Sequence, residues 1–198
     1  TADEIMPSLV GSQMCIRDRI LIMGVFHYRG SLPPDSPLFV GREQAIEILV
    51  KCCQPPVRNY VIVFGSRQSG KTSLLYRLGR LLPKHIAFDV IDLAPVAGND
   101  TGRVYQYLAE EIRDGLQSID GPDPHIAIDG PGLRSFLRKL RPQKFAVIAL
   151  DELGGISSQV AGDLANLLRS IHQDRFKVRN AAFRSYLFIL AGGIELYE

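Results

Sequence analysis

Residues 60–72 read YVIVFGSRQSGKT, and this stretch decides the fold. Its first five residues are β-branched or aromatic, a composition typical of a strand that is buried on both faces of a parallel sheet. A glycine-rich turn follows, and residues 72–82 then carry leucines at the spacing of a helix that faces a core. The sequence therefore predicts a strand, a tight turn and a helix in direct succession.

The turn matches the pattern G-x-x-x-x-G-K-[ST] from Gly65 to Thr72. Glycine at Gly65 and Gly70 allows backbone dihedrals and a close approach that a Cβ atom would block. The backbone N–H groups of the turn and the positive end of the following helix then face the same anion. Lys71 is placed to reach the β- and γ-phosphates of a nucleotide, and the Thr72 hydroxyl is placed to ligate Mg²⁺. The sequence therefore predicts a nucleotide phosphate site.

A second chemical feature is the pair Asp151-Glu152, which directly follows the apolar run FAVIAL at residues 145–150. Two carboxylates at the tip of a buried strand are costly unless a cation meets them. In a parallel sheet this tip lies on the same edge as the phosphate-binding turn. We expect Asp151 to hold the Mg²⁺ shell, usually through water, and Glu152 to orient and deprotonate an attacking water.

This adjacent Asp-Glu pair favours hydrolysis of a nucleoside triphosphate over transfer to a small acceptor, because transfer needs no water activator. A GTP-binding chain would be expected to show the base-reading pattern N-K-x-D, which the sequence lacks. ATP is therefore favoured over GTP.

Strands and helices alternate along the rest of the chain. Residue patterning predicts strands at residues 60–64, 85–93, 145–150 and 186–191. It predicts helices at residues 43–53, 72–82, 101–119, 133–140 and 160–171. Alternation of this kind indicates right-handed βαβ units, and these build a parallel sheet with helices on both faces. The expected fold is a three-layer α/β fold.

Composition places the chain among ordinary globular proteins and excludes several other classes. The 198 residues are 46% hydrophobic and 22% charged, which rules out a disordered tail or a collagen. The net charge of +2 neither favours nor excludes a nucleic-acid partner. No apolar run approaches the roughly 18–20 residues of a membrane helix. Three cysteines are few, so we expect free thiols in a reducing, cytoplasmic compartment.

The N-terminal part of the chain differs in character from the rest. Residues 1–19 show no helix or strand period, and their second half resembles, with one residue changed, a translated adapter used to prepare sequencing libraries. We expect this tract to be non-native and not to belong to the fold. Residues 20–37 form a lead-in segment whose prolines disfavour helix. Residues 38–198 form the core of the fold.

The phosphate-binding turn and Asp151-Glu152 together resemble the Walker A and Walker B motifs of the additional-strand P-loop ATPases. Residues 38–43, LFVGRE, resemble the (F/Y)-V-G-R-E box of AAA+ and STAND ATPases, and the surrounding sequence is most similar to bacterial AAA-like STAND signalling ATPases. The resemblance covers residues 28–196. It implies a three-layer P-loop NTPase core that uses ATP and Mg²⁺, with the last core strand and the lid domain lying beyond Glu198.

The resemblance also implies roles for individual residues. Lys71 and Glu152 would be catalytic, and Thr72 and Asp151 would hold the metal. At the sensor-1 position, where relatives carry a polar residue or an arginine, this chain has Ala191-Gly192-Gly193, which implies slow turnover. The residues expected to contact the nucleotide are Phe39, Val40, Gly41, Arg42, Gly65, Ser66, Arg67, Gln68, Ser69, Gly70, Lys71, Thr72 and Ser73.

The function that the resemblance implies is a signalling module that hydrolyses ATP to ADP and phosphate, in which nucleotide exchange or hydrolysis opens or closes an oligomerisation surface. Its partners would be further copies of the chain and fused effector or repeat domains. One alternative is a DNA-associated AAA+ ATPase of the origin-loading or transposition-helper type, although nucleic acid is not favoured. Another is a nucleotide-binding scaffold without turnover. A basic cluster is either a solvated face or a patch for nucleic acid or a partner; it comprises Arg134, Arg138, Lys139 and Arg141.

Overall fold

The computed structural model describes residues 30–55, 60–117 and 121–193. The tract at residues 1–19, most of the lead-in segment and the last five residues lie outside the described residues. Four strands form one parallel sheet in the order β1-β4-β3-β2. They are β1 (Val61–Phe64), β2 (Ile86–Asp92), β3 (Phe145–Asp151) and β4 (Tyr186–Gly192). β4 therefore lies between β1, which precedes the glycine-rich turn, and β3, which precedes Glu152.

Five α-helices within the described ranges cover the two faces of this sheet. They are α1 (Glu43–Cys52), α2 (Lys71–Leu81), α3 (Thr101–Gly115), α4 (Gly130–Leu140) and α5 (Ser158–Asp174). Buried leucines of α1 and α2 pack with Val147 and Ile189 on one face. The other three helices pack with Ile148 and Leu190 on the opposite face. The prediction of a three-layer α/β fold is confirmed.

The two central strands explain why the sequence shows unbroken apolar runs. Every residue of β4 is buried, and in β3 only Phe145 is partly exposed. Neighbouring residues in β3 alternate between the two faces, so Val147 enters one core and Ile148 enters the other. Because helices cover both faces, neither set of positions can be polar.

β1 departs from the sequence-based expectation. The apolar run at residues 60–64 predicts burial on both faces, but Ile62 and Phe64 are 50% and 44% exposed. Within the described sheet β1 pairs only with β4. No β1 residue belongs to the core formed by α3, α4 and α5, so one face of this strand is uncovered by those helices. The prediction of a doubly buried strand is therefore wrong for β1.

Local signals set the helix boundaries that periodicity places only approximately. α4 begins at Gly130, three residues earlier than predicted, because the Asp129 carboxylate accepts a hydrogen bond of 2.6 Å from the Gly132 N–H. α5 is capped in the same way by Ser157, whose hydroxyl accepts from the Val160 N–H. α3 ends at Gly115 instead of reaching residue 119, since Gln117 adopts a left-handed conformation with φ of 50°. None of the described helices is both long enough and apolar enough to cross a membrane.

Candidate functional site

The glycine-rich turn joins the carboxyl end of β1 to the first turn of α2. Its first residue is tied to the neighbouring strand, because the Gly65 N–H donates a 3.3 Å hydrogen bond to the Gly192 carbonyl. Its last residue, Gly70, is the N-cap of α2 and has φ of 80°. Glycine has little penalty in this left-handed region, whereas a side chain there costs about 1–2 kcal/mol. The second glycine of the motif is therefore required by the backbone of the turn.

The inside of the turn is tightly packed and holds an unsatisfied polar atom. A Cβ atom on Gly65 would lie 2.6 Å from the Ser69 hydroxyl oxygen, so a side chain at the first glycine would force this hydroxyl to move. Among the described residues, Ser69 Oγ is buried without a hydrogen-bond partner. Leaving a buried polar group unpaired costs about 1–3 kcal/mol. A ligand oxygen at the turn would relieve this cost, so the turn fits a phosphate group.

Lys71 places a positive charge across the same turn. Its ammonium group donates hydrogen bonds of 3.1 Å each to the carbonyls of Gly65 and Ser66. These contacts hold Nζ against the turn instead of in open solvent. The ammonium is thus positioned beside the N-terminus of α2, where backbone N–H groups also favour an anion.

The predicted metal-binding residues are in direct contact. The Thr72 hydroxyl donates a 2.5 Å hydrogen bond to Asp151 Oδ2, and Asp151 is only 2% exposed. The other carboxylate oxygen accepts a 3.0 Å hydrogen bond from the Glu152 N–H. Asp151 forms no ion pair with any residue that the structure describes. A buried carboxylate without a cationic partner is costly, so this position favours a bound cation.

These donors fit a Mg²⁺ ion that keeps several water ligands better than they fit a metal ion coordinated by protein side chains alone. Thr72 and Asp151 supply oxygen atoms alone, which are the ligands that Mg²⁺ prefers. Within the described ranges no group of three or more His, Cys, Asp or Glu side chains could hold a metal ion. Mg²⁺ usually keeps several waters and takes one or two protein oxygens together with substrate phosphates. Two protein donors beside a phosphate-binding turn meet that requirement.

Glu152 lies at the same edge of the sheet, directly after the buried carboxylate. It is exposed and has φ of 56°, a left-handed conformation that is uncommon for a residue with a side chain. This conformation ends β3 and begins a short 3₁₀ turn at Leu153–Gly155. Asp92 ends the adjacent strand and is in register with Asp151. Asp92 was not among the predicted site residues, although it ends an apolar strand as Asp151 does.

The VGRE box reaches the phosphate-binding turn through one residue. The Arg42 guanidinium donates a hydrogen bond to the Ser69 carbonyl, which joins residues 27 positions apart in the sequence. Phe39 instead packs against the core on the α1 and α2 face, and Val40 is 73% exposed. Gly41 has φ of 75°, and its N–H donates to the Glu43 carboxylate. The structure therefore brings Arg42 to the turn, while the adenine-contacting role of this box stays a prediction.

The described part of the lead-in segment packs along α2, which the sequence did not predict. The Leu32 N–H donates a 2.8 Å hydrogen bond to the Ser73 hydroxyl. Arg77 donates to the Pro34 carbonyl at 2.6 Å, and Asp35 lies 3.4 Å from the Arg80 guanidinium. A proline-rich turn has no periodicity that would indicate such contacts. The Ser73 hydroxyl, expected to contact nucleotide, thus holds the lead-in segment.

The remaining predicted positions lie in the exposed part of the turn or at the end of β4. Ser66, Arg67 and Gln68 are exposed. At the sensor-1 position Ala191 and Gly192 are buried and offer no polar side chain. The polar contact recorded there is made by the Gly192 carbonyl, which accepts from Gly65.

Comparison with known proteins supports the α/β fold. No family model and no curated protein matches the sequence. Among solved structures, the chain is similar to the Walker-type ATPase PABY2304 of Pyrococcus abyssi, with a TM-score of 0.51 and 17% sequence identity. The match covers 85% of this chain and 49% of that protein, so the chain spans about half the length of this neighbour. The chain has the α/β fold of a Walker-type P-loop ATPase.

Proposed function

We propose that the chain binds ATP together with Mg²⁺ at residues 65–73 and hydrolyses it slowly. The observation that carries this proposal is the 2.5 Å contact between the Thr72 hydroxyl and the buried Asp151 carboxylate, beside the Lys71 ammonium. It brings an oxygen donor set and a positive charge to the mouth of a glycine-rich turn. The strand order, with β4 between β1 and β3, supports the additional-strand type of P-loop ATPase.

The proposed chemistry is an in-line attack of water on the γ-phosphate. Thr72 and Asp151 would hold Mg²⁺, which supplies charge neutralisation at the phosphates when bound. Lys71 would bind the β- and γ-phosphate oxygens as a point charge. Glu152, exposed at the same sheet edge, would orient the attacking water and accept its proton at the side-chain carboxylate.

Slow turnover is proposed because the end of β4 supplies no polar side chain to sense the γ-phosphate. Gly192 contributes its carbonyl to the Gly65 N–H, and Ala191 is buried. A site of this kind would stay loaded with nucleotide for longer than one that carries a sensor. This behaviour suits a nucleotide-controlled signalling switch of the AAA-like STAND type, acting with further copies of the chain or with effector domains.

The contacts of the turn offer a physical route for such a switch. Arg42 is bonded to the Ser69 carbonyl inside the turn, and Leu32 is bonded to Ser73 in the first helical turn of α2. Nucleotide exchange that shifts the turn would therefore change the positions of the VGRE box and the lead-in segment. A switch needs contacts that form in one of its two states and not in the other. These two hydrogen bonds are candidates for such contacts.

The test compares wild-type protein with Glu152→Gln in assays of ATP binding and of phosphate release. Loss of the general base is expected to lower phosphate release by about 10²- to 10⁴-fold while ATP affinity stays within about twofold. Glu47→Gln is the matched control, because Glu47 lies on α1 and pairs with Lys51 at 2.6 Å, away from the turn. Equal phosphate release by Glu152→Gln and Glu47→Gln would remove the role of Glu152. Binding of ATP without any release by the wild type would favour the scaffold alternative.

A further inference from the structure

Two segments that pack together carry an unusual concentration of positive charge. Residues 134–145 and 175–186 contain nine Lys and Arg residues and no Asp or Glu, in a chain whose net charge is +2. The first segment includes the end of α4, and the second includes the 3₁₀ segment Val178–Ser185, which contacts α4. The Tyr186 hydroxyl also donates a 2.9 Å hydrogen bond to the Leu137 carbonyl. The fold therefore places these two segments side by side.

Part of this charge is used within the fold. Arg134 pairs with Asp174, donates a 2.7 Å hydrogen bond to the Ser170 hydroxyl and lies over the Phe183 ring at 4.9 Å. Lys177 contacts the same Asp174 carboxylate at 2.5 Å. Arg134, which the sequence grouped with the basic cluster, is thus a structural residue that joins α4 to α5.

The other three members of the cluster, and Lys144 close by in the sequence, have no such partner among the described residues. Arg138, Lys139, Arg141 and Lys144 are all exposed, and none forms an ion pair with another residue in the described ranges. The first three line an open groove of about 890 Å³. The lining also includes the small side chains of Ala181, Ala182 and Ser185. We call this feature the basic groove.

The basic groove lies at the opposite edge of the sheet from the candidate nucleotide site. Arg141 and Lys144 precede the first residue of β3, whereas Asp151 is its last residue. Seven residues of strand span about 20 Å at roughly 3.3 Å each. The charges of the groove are therefore too distant to bind phosphates held by Lys71, so any ligand they bind is separate from the nucleotide.

We propose that the basic groove binds the phosphate backbone of duplex nucleic acid without reading its sequence. Exposed, unpaired Arg and Lys side chains are the groups that neutralise backbone phosphates. No aromatic side chain among the described residues lines the groove, so it offers no platform on which single-stranded bases could stack. It also lacks the large apolar or aromatic anchor pocket around which peptide and protein interfaces are built. A duplex backbone needs neither feature.

The experiment measures binding of the 198-residue chain to a fluorescent duplex of about 20 base pairs and mixed sequence, by anisotropy at several salt concentrations. Phosphate contacts from the three basic residues of the groove and from the neighbouring Lys144 predict a log–log salt slope of about −3 to −4, which is roughly a 100-fold loss of affinity between about 50 and 200 mM salt. The triple variant Arg138→Gln, Lys139→Gln, Arg141→Gln should reduce the magnitude of this slope by about 3. Thermal unfolding of each variant confirms that it is folded.

Two controls separate the groove from net charge and from the nucleotide site. The variant Arg80→Gln, Lys84→Gln, Arg169→Gln changes the net charge by the same amount at exposed positions outside the groove, and it should keep the salt slope within about 1 of the wild type. Lys71→Ala should leave duplex binding unchanged, so failure of the proposed ATP site would not affect this result. Equal binding by the groove variant and the wild type would overturn the proposal. Tighter binding of a labelled polyglutamate peptide than of the duplex would also overturn it, in favour of an acidic protein partner.

Discussion

The Thr72 hydroxyl donates a 2.5 Å hydrogen bond to the Asp151 carboxylate, which lies 79 residues later in the sequence. This contact joins the first turn of α2 to the last residue of β3. The strand that leads into α2 is β1, and it does not neighbour β3, because β4 lies between them in the sheet. The position of β4 thus sets the gap across which the helix and the buried carboxylate meet.

Removing the Thr72 hydroxyl is expected to abolish the effect of Mg²⁺ on the affinity for ATP. Thr72→Val keeps the shape of the side chain but removes the proposed metal ligand and leaves Asp151 Oδ2 without its donor. We expect Mg²⁺ to raise ATP affinity in the wild type and in Thr72→Ser, and to raise it by less than about twofold in Thr72→Val. Titrations of labelled ATP with Mg²⁺ and with a chelator measure this difference. An unchanged Mg²⁺ effect in Thr72→Val would exclude this residue as a ligand.

Two glycine substitutions are expected to change stability in opposite directions. Gly70 has φ of 80°, so Gly70→Ala should lower the free energy of unfolding by about 1–2 kcal/mol. Gly162 lies in α5, and a Cβ atom there would meet nothing within 4 Å. Gly162→Ala should therefore raise the free energy of unfolding by about 0.5–1 kcal/mol. Urea unfolding of both variants measures the two effects, and equal shifts of the same sign would contradict the assigned backbone conformations.

Asp89 is expected to make the free energy of unfolding depend on pH in a direction that its pKa shift determines. Burial raises the pKa of this carboxyl group, and its hydrogen bond from the Val90 N–H only partly opposes the effect. A carboxyl group with a raised pKa in the folded state ionises more readily in the unfolded chain. Its contribution to stability is therefore lost as the pH rises from the unfolded pKa of about 3.9 through the raised value.

Asp89→Asn removes this ionisation and keeps the oxygen that accepts from Val90. We expect the variant to be more stable than the wild type at about pH 7 and to lose this advantage at about pH 4. Free energies of unfolding at the two pH values provide the measurement. A variant that is less stable than the wild type at about pH 7 would show that the charged form of Asp89 is favoured in the fold.

The features that the sequence predicted well are those with local signals. The Gly65–Thr72 motif carries its own backbone requirements, seen at Gly70, and the apolar runs of β3 and β4 are long enough to need cover on both faces. The exposure of Ile62 depends on which strands neighbour β1, and no residue within the run encodes that arrangement. The difference in role between Arg134, which forms an ion pair, and Arg138, which does not, likewise depends on Asp174, which is distant in the sequence. Such contacts arise from tertiary packing, which periodicity does not report.

The central claim is that residues 65–73 bind the phosphates of ATP, and calorimetric titration with Mg²⁺-ATP tests it most directly. The wild type should bind, and Lys71→Ala should lose about 10- to 100-fold in affinity, because a charge-assisted hydrogen bond contributes about 1.5–3 kcal/mol. Lys84→Ala, at an exposed lysine just beyond α2, should bind like the wild type. No binding of Mg²⁺-ATP by the folded wild-type chain, or equal affinities in Lys71→Ala and Lys84→Ala, would contradict the claim.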